Sequence, residues 1–448
     1  MNIQNVARDI DFRSSLAADS VTAAKYFESA DAALQSLGPP SSRSAEGKRD
    51  AHDVKLRSRA AKEKFLRRHV GEIYDTVTDN RSKTLRVCDL LYAVADRFPG
   101  LAPTRQRIQN ERTLKQQSAK EGLEIDQGLF IAHVLADPER GLHLVHAMLK
   151  PKREALEKFA EFQKTSVADL GEARVERQGN VGHVTLTNPR FLNAEGDRTS
   201  ADLEIAADLA LLDDRIEVCV LRGGPVDHRK YQGRRIFNSG INLTHLYYGQ
   251  IAFADFILER ELGLLNKIYR GHWRSDSYSE QFEDYIEKPW LGVVESHAIG
   301  GGCQLLCVMD RVVAVHGSYF NLPASKEGFI PGSANLRLPR LVGIQLARQG
   351  IFFERKFRAD TPEGRLICDE TVDYEQMDQA IEANTTQMVR AGFTSTVSNR
   401  KALRVGQEPL AVYRRYMATY ARQQALCFYD PKLIDNLEQS WKPSSRSM

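Results

Sequence analysis

Apolar residues recur at three- and four-residue steps through the N-terminal part of the chain. In Val87-Cys88-Asp89-Leu90-Leu91-Tyr92-Ala93-Val94-Ala95-Asp96-Arg97-Phe98 they mark one face of an α-helix. This period dominates from about Ser20 to Thr165, with few strand signals, and predicts an all-helical N-terminal domain over residues 1–168. The segments Pro39-Pro40-Ser41-Ser42-Arg43-Ser44 and Pro99-Gly100-Leu101-Ala102-Pro103 interrupt it, as proline and glycine do where one helix ends and another begins. After Ala168 the period changes. Short β-branched runs, Val181–Thr187 and Ile216–Leu221, alternate with helical stretches such as Ala201–Leu212, and Leu291–Glu295 and Arg311–Val315 continue the strand pattern. An α/β core is therefore expected over residues 169–350. The chain returns to helical periodicity from Leu403 to Ser440, so residues 351–448 are expected to form a C-terminal helical region.

With 448 residues and 42% hydrophobic content, the chain is long enough for more than one core, and disorder throughout is excluded. A net charge of +3 gives no global field favouring nucleic acid or an anionic membrane. The basic stretch Lys55–Arg68 alternates with apolar residues and reads as a solvated helix face. The start Met1–Asp9 leads into mixed polar sequence, and no long uncharged apolar run follows, so a soluble cytoplasmic protein is expected. Six cysteines, Cys88, Cys219, Cys303, Cys307, Cys368 and Cys427, lack paired spacing and read as reduced thiols. His133, His143 and His146 sit in apolar helical surroundings without a carboxylate at facial-triad spacing, so no metal is expected. Neither a Rossmann glycine fingerprint nor a Walker lysine is present, which disfavours nicotinamide, flavin and nucleoside triphosphate.

The segment that carries chemistry is Glu295-Ser296-His297-Ala298-Ile299-Gly300-Gly301-Gly302-Cys303-Gln304-Leu305, an apolar strand entering three glycines that open an apolar helix. Glycines let a ligand approach the backbone, and the first turn of a helix offers N–H groups without intrahelical partners; both suit a developing oxyanion. Upstream, Arg235-Ile236-Phe237-Asn238-Ser239-Gly240-Ile241-Asn242-Leu243 breaks from a strand at a small-residue pair. Downstream come Tyr319-Phe320-Asn321-Leu322-Pro323, Glu327-Gly328-Phe329-Ile330-Pro331-Gly332 and Arg337-Leu338-Pro339-Arg340-Leu341-Val342-Gly343.

These motifs, with Gly182–Ala194 and its Asn188-Pro189-Arg190-Phe191-Leu192-Asn193-Ala194 run, resemble the crotonase (enoyl-CoA hydratase/isomerase) superfamily in order and spacing, from about Glu172 to Gly350. The resemblance implies a spiral core of ββα units and an oxyanion hole built from the N–H groups of Ile241 and Gly301, with Gly302 beside them. It implies CoA contacts at Arg190 and along the main chain at Asn238, Ser239 and Gly240, and a homotrimer or dimer of trimers. The pattern departs from the hydratases at two positions: Gln304 and Ala324 stand where two catalytic glutamates are expected. Neither residue can act as a carboxylate base.

With its long N-terminal region, the chain resembles the 3,5-dihydroxyphenylacetyl-CoA 1,2-dioxygenases of glycopeptide-antibiotic biosynthesis. That likeness implies an arylacetyl-CoA and molecular oxygen as substrates, with no metal or organic cofactor. Within it Glu195 is a candidate acceptor and Arg260 a candidate donor for ring hydroxyls. Arg260 is expected on one α-helical face with Phe253, Phe256, Ile257 and Leu264. Another crotonase-type reaction, isomerisation or thioester hydrolysis, and a catalytically inactive CoA-thioester-binding protein are the alternatives.

Overall fold

The computed structural model describes residues 10–231, 233–274 and 284–446. The stretch Met1–Asp9, read above for a secretion signal, lies outside them. By contact density the chain forms two compact units: one takes the residues up to Ala147, Thr244–Asp255 and the residues from Arg414 on, and the other takes Met148–Leu243 and Phe256–Tyr413. The region 351–448 is thus shared between them at Tyr413.

The first unit is helical. Its helices include Leu16–Ser36, Ala45–Val77, Val87–Arg97, Arg105–Arg112 and Glu124–Ala136. The side chains of Ser15, Ser44 and Thr104 cap three of these by accepting the N–H of Ala18, Gly47 and Arg107, so the polar residues that follow each break also start the next helix. The basic stretch within Ala45–Val77 is only in part the solvated face expected from its charge: Arg67 and Arg68 are exposed, but three other cations turn inward. Lys62 is 6% exposed; its Nζ lies 2.5 Å from Asp126 Oδ2, Arg59 reaches the same carboxylate, and Lys55 pairs with Glu121. These cations are spent on acidic residues of and beside the helix Glu124–Ala136. No helix among the described residues is long and apolar enough to cross a membrane.

Among the described residues the second unit has twelve strands: β1 Val167–Asp169, β2 Ala173–Gln178, β3 Val181–Leu186, β4 Val218–Gly223, β5 His272–Trp273, β6 Tyr285–Ile286, β7 Trp290–Val294, β8 His297–Ile299, β9 Arg311–Val315, β10 Tyr319–Asn321, β11 Phe357–Arg358 and β12 Glu370–Val372. A seven-stranded sheet runs β1-β2-β3-β4-β7-β9-β12, and a three-stranded one runs β11-β10-β8. The first two pairings of the large sheet are antiparallel hairpins and the remaining four are parallel. Burial follows this order. In β3 buried and half-buried residues alternate, whereas β7 is buried throughout and β4 nearly so, as expected for parallel strands covered on both faces. The helix Asp197–Leu212 packs Leu203, Ala206, Leu209 and Ala210 onto the sheet. This is the α/β core expected from the sequence after Ala168.

Two local expectations change. The strand placed at Ile216–Leu221 begins at Val218, because Asp213 accepts the N–H of Arg215 and its carbonyl that of Ile216, closing a turn. The segment around Arg260 is not a regular α-helix: Phe253–Leu258 and Arg260–Leu265 are π-helical. Arg260 through Leu265 are all buried, so no polar face exists there.

A buried ion cluster ties helices of this unit together. Glu408 accepts from Arg337 Nε and Nη2 (both 3.0 Å), Arg340 Nη1 (2.8 Å) and Arg270 Nη2 (3.2 Å). Burial opposes its ionisation, but the three guanidiniums outweigh that and hold its carboxyl down at about 2. Because the folded-state pKa is depressed, this contribution is complete above the ordinary carboxylate range and is lost as pH falls from about 4.5 toward about 2. Glu408→Gln removes the compensating charge and is expected to lower unfolding stability by about 3 kcal/mol or more. Urea denaturation at pH 7 and pH 3 checks this: the gap between the two proteins should narrow at the lower pH.

Candidate active site

Two backbone segments meet at the C-terminal end of β8. After Ile299 the chain turns at Gly300, with φ 52° and ψ −113°, and enters the short helix Gly301–Leu306. Gly300 N–H donates to Asn321 O of β10 at 2.8 Å. Alongside runs Asn238–Asn242, bridged to β8 at Asn238 and Ala298, with Ile299 N–H donating to Asn238 O at 3.0 Å. Gly240 has φ 82°, and a Cβ on it would lie 3.1 Å from Ile299 O, 3.4 Å from Gly300 Cα and 3.5 Å from Gly301 N. Only glycine fits this approach. A Cβ on Gly302 would sit 2.7 Å from Asn238 O, so this residue serves close packing.

The N–H groups of Ile241 and Gly301 flank this contact. Among the described residues neither donates to a protein acceptor, whereas Gly240 N–H is occupied by Asn238 Oδ1 at 2.6 Å. They form a pair of available backbone donors at adjoining turns.

Behind them lies a buried charged wall. Glu195 and Arg260 are 1% and 4% exposed. Arg260 Nε and Nη2 donate to Glu195 Oε2 and Oε1 at 2.5 and 2.9 Å, and Asn238 Nδ2 also donates to Oε1 at 2.8 Å. Arg260 Nη2 reaches Gly301 O at 2.9 Å, and Nη1 reaches Gln304 Oε1 and Glu261 Oε1 at 2.7 and 2.8 Å. The main chain of Glu195 is engaged as well: its N–H donates to Gly240 O and its carbonyl accepts from Asn242 N–H, each at 2.7 Å. Ile241 is therefore held from both sides by Glu195.

The residues singled out in the sequence divide into groups. Glu195, Asn238, Gly240, Ile241, Arg260, Gly301, Gly302 and Gln304 come together. Arg260 is not the free donor expected, because its five N–H directions all end on protein acceptors. Glu195 Oε2 has Arg260 Nε as its protein donor and keeps a lone pair. Ser239 Oγ donates to Leu192 O at 2.9 Å and faces His297 Nε2 at 3.0 Å, so this ring nitrogen acts as the donor. Arg190 is exposed on the turn Pro189–Phe191, its guanidinium 5.2 Å from the Phe191 ring, and does not join the cluster. Ala324, 6% exposed, opens the short helix Ala324–Glu327.

Glu261 and His297 went unnoticed in the sequence. Neighbouring residues on a regular helix diverge by about 100°, so nothing in an α-helical pattern unites Arg260 with Glu261. Glu261 Oε2 accepts from Ser333 N–H and Oγ at 2.9 and 2.7 Å, and Ser333 Oγ accepts from Arg337 Nη1 at 2.8 Å. The Arg260 wall is thereby continuous with the Glu408 cluster. His297 is kept neutral: burial, with Lys230 and Lys356 nearby, pushes its pKa down to about 4.

Residues 176–424 match the family profile of enoyl-CoA hydratase/isomerase. The chain is 43% identical, over 92% of its length and 93% of the relative's, to the (3,5-dihydroxyphenyl)acetyl-CoA 1,2-dioxygenase of Amycolatopsis orientalis. The chain belongs to the enoyl-CoA hydratase/isomerase family. A short-chain-enoyl-CoA hydratase of Clostridium acetobutylicum is 27% identical over 43% of this chain and 65% of its own. Among solved structures, an enoyl-CoA hydratase/isomerase from Mycobacterium paratuberculosis superposes with a TM-score of 0.48 at 18% identity, over 60% of this chain and 98% of that one.

A Cβ at Gly301 would run into Glu195 Oε1 and lie 3.0 Å from Arg260 Nη2. Gly301→Ala is therefore expected to displace the wall and tilt the Gly301 N–H, lowering turnover of a thioester substrate about 100-fold while the circular dichroism spectrum is retained. Thiol release measured with a chromogenic disulfide checks this; wild-type turnover in the variant contradicts the assignment.

Proposed function

We propose that this chain is a cofactor-independent dioxygenase that converts (3,5-dihydroxyphenyl)acetyl-CoA and molecular oxygen into the arylglyoxylate and free CoA. The observation that carries the reading is a pair of available N–H donors, Ile241 and Gly301, beside the amide of Gln304; by resemblance the methyl group of Ala324 stands where a second glutamate is expected. Such a site stabilises an enolate but lacks, at those positions, the carboxylates that would add and remove water. The Amycolatopsis orientalis relative named for this reaction, at 43% identity over nearly the whole chain, supports the same substrate pair.

In this reading the thioester oxygen accepts from both N–H groups, which carry the negative charge that develops when the α-proton leaves. The enolate of an arylacetyl group is spread over ring and carbonyl, and it gives its electrons to oxygen. The α-carbon forms a bond to one oxygen atom and the distal peroxide oxygen attacks the thioester carbon, expelling CoA thiolate. Loss of the second α-proton then breaks the O–O bond and leaves the α-keto acid. Both atoms of oxygen enter the product, and the thiolate takes up a proton. The lone pair of Glu195 Oε2 gives the site one buried acceptor for a ring hydroxyl, which would penalise an unhydroxylated ring by leaving it unpaired. Arg190 and the main chain at Asn238 and Ser239 would contact the CoA portion.

Incubating chelator-treated protein with the substrate while recording oxygen uptake and thiol release together tests the proposal. Equal, simultaneous consumption of oxygen and appearance of thiol is expected. Thiol release in the absence of oxygen would make the protein a thioesterase and overturn the reading.

A further inference from the structure

The segments that carry the two donors are joined by one main-chain bond, Ile299 N–H to Asn238 O at 3.0 Å, and by side chains from two directions. One set is the Arg260–Glu195 wall, which binds Gly301 O on one segment and, through the main chain of Glu195, Gly240 and Asn242 on the other. The second set uses neither of these residues. Asn238 turns its side chain to Glu195, whereas Ser239 beside it turns its own to Leu192 and His297. His297 belongs to β8, four residues before Gly301, and Ser239 lies two residues before Ile241. The 3.0 Å contact between Ser239 Oγ and His297 Nε2 therefore joins the strand that leads to one donor with the turn that leads to the other.

Both ends of this contact are fixed. Ser239 has one hydroxyl hydrogen, which goes to Leu192 O at 2.9 Å, so its oxygen receives a hydrogen from the ring. Leu192 and Asn193 both have φ 55°, and the buried Asn193 amide holds that turn: Oδ1 accepts from Asn188 N–H at 2.9 Å, and Nδ2 donates to Gly224 O and Ile236 O at 3.0 and 2.7 Å. The imidazole is buried. Tyr319, opposite His297 in the β8–β10 pairing, stacks on it with ring centres 5.6 Å apart, and Tyr231 meets it edge-on at 5.8 Å. Ser296 Oγ lies 3.4 Å from Nδ1, which makes that nitrogen the acceptor and puts the one N–H of the neutral ring on Nε2.

We infer that His297 is a positioning residue for the donor pair: its Nε2–H, acting through Ser239, sets the separation and tilt of the Ile241 and Gly301 N–H groups. Without that N–H, Ser239 keeps its bond to Leu192 and loses its tie to β8, so the two turns are braced by side chains from the wall side alone. The loss falls on the charge that develops at the thioester oxygen, because hydrogen-bond alignment counts for more there than in the ground state. This rests on the thioester-binding role proposed for the donor pair and not on the reaction of the enolate with oxygen.

The test is carbon NMR of (3,5-dihydroxyphenyl)acetyl-CoA isotope-labelled at its thioester carbonyl and bound without oxygen, beside turnover in air. On the wild-type protein the carbonyl resonance is expected downfield of its position in water. His297→Phe keeps a stacking ring but has no N–H; it should lose part of that displacement and about 10-fold in kcat while binding the thioester as tightly as the wild type. His297→Gln restores a neutral N–H donor and should recover most of both. Ser239→Ala breaks the same link from the other end and should match His297→Phe, with the double variant little worse than either; it decides the matter if His297→Phe does not fold. Full displacement and wild-type kcat in His297→Phe or Ser239→Ala, with only the thermal midpoint lowered, overturn the inference. Thiol release by the wild type without oxygen overturns the dioxygenase reading and leaves the resonance to decide the role of His297. A wild-type resonance unmoved from its position in water overturns the donor pair and the role of His297 with it.

Discussion

The contact on which the site depends is the buried ion pair between Arg260 and Glu195. Burying either charge alone costs several kcal/mol, and the pair is tolerable only because its remaining hydrogen-bonding capacity is nearly filled. Asn238, Gly301, Gln304 and Glu261 do the filling, from three segments of the chain: the Asn238 strand end, the helix that starts at Gly301, and the π-helical stretch of Arg260 itself. Satisfying one guanidinium therefore fixes the mutual positions of Asn238–Asn242, the Gly301 helix and the Glu195 turn. The two backbone donors are placed as a consequence.

That constraint explains the glycines and the missing glutamates together. Gly301 lies against the Arg260–Glu195 pair and Gly240 lies against Gly300, so side chains are excluded on both sides of the donor pair. The amide of Gln304 accepts from Arg260, which a glutamate at that position would do with a full negative charge. In that place a third buried carboxylate would join Glu195 and Glu261 around one guanidinium. The neutral amide keeps the wall closer to charge balance. A site of this kind suits a reaction whose difficulty lies in holding an enolate.

Much of this was legible in the sequence. The change from a three-to-four-residue period to β-branched runs after Ala168 matches the appearance of strands, and the Gly300-Gly301-Gly302 and Ser239-Gly240 breaks meet as their composition suggested. Less legible was whatever depends on one segment finding another. Lys55, Arg59 and Lys62 read as part of a solvated face because their partners, Glu121 and Asp126, are distant in sequence. Glu195 and Arg260 were each singled out for a ligand, yet 65 residues separate two side chains that pair first with each other. Glu261 was hidden by π-helical winding, which a 3.6-residue period does not describe.

The central claim is that the Arg260–Glu195 pair positions the Ile241 and Gly301 donors. Infrared difference spectroscopy of an arylacetyl thioester carbonyl, bound without oxygen, measures their grip directly. The account predicts a carbonyl stretch at lower frequency on the wild-type protein than in water, with most of that shift lost in Arg260→Met although the ligand stays bound. An undiminished shift in Arg260→Met would contradict it.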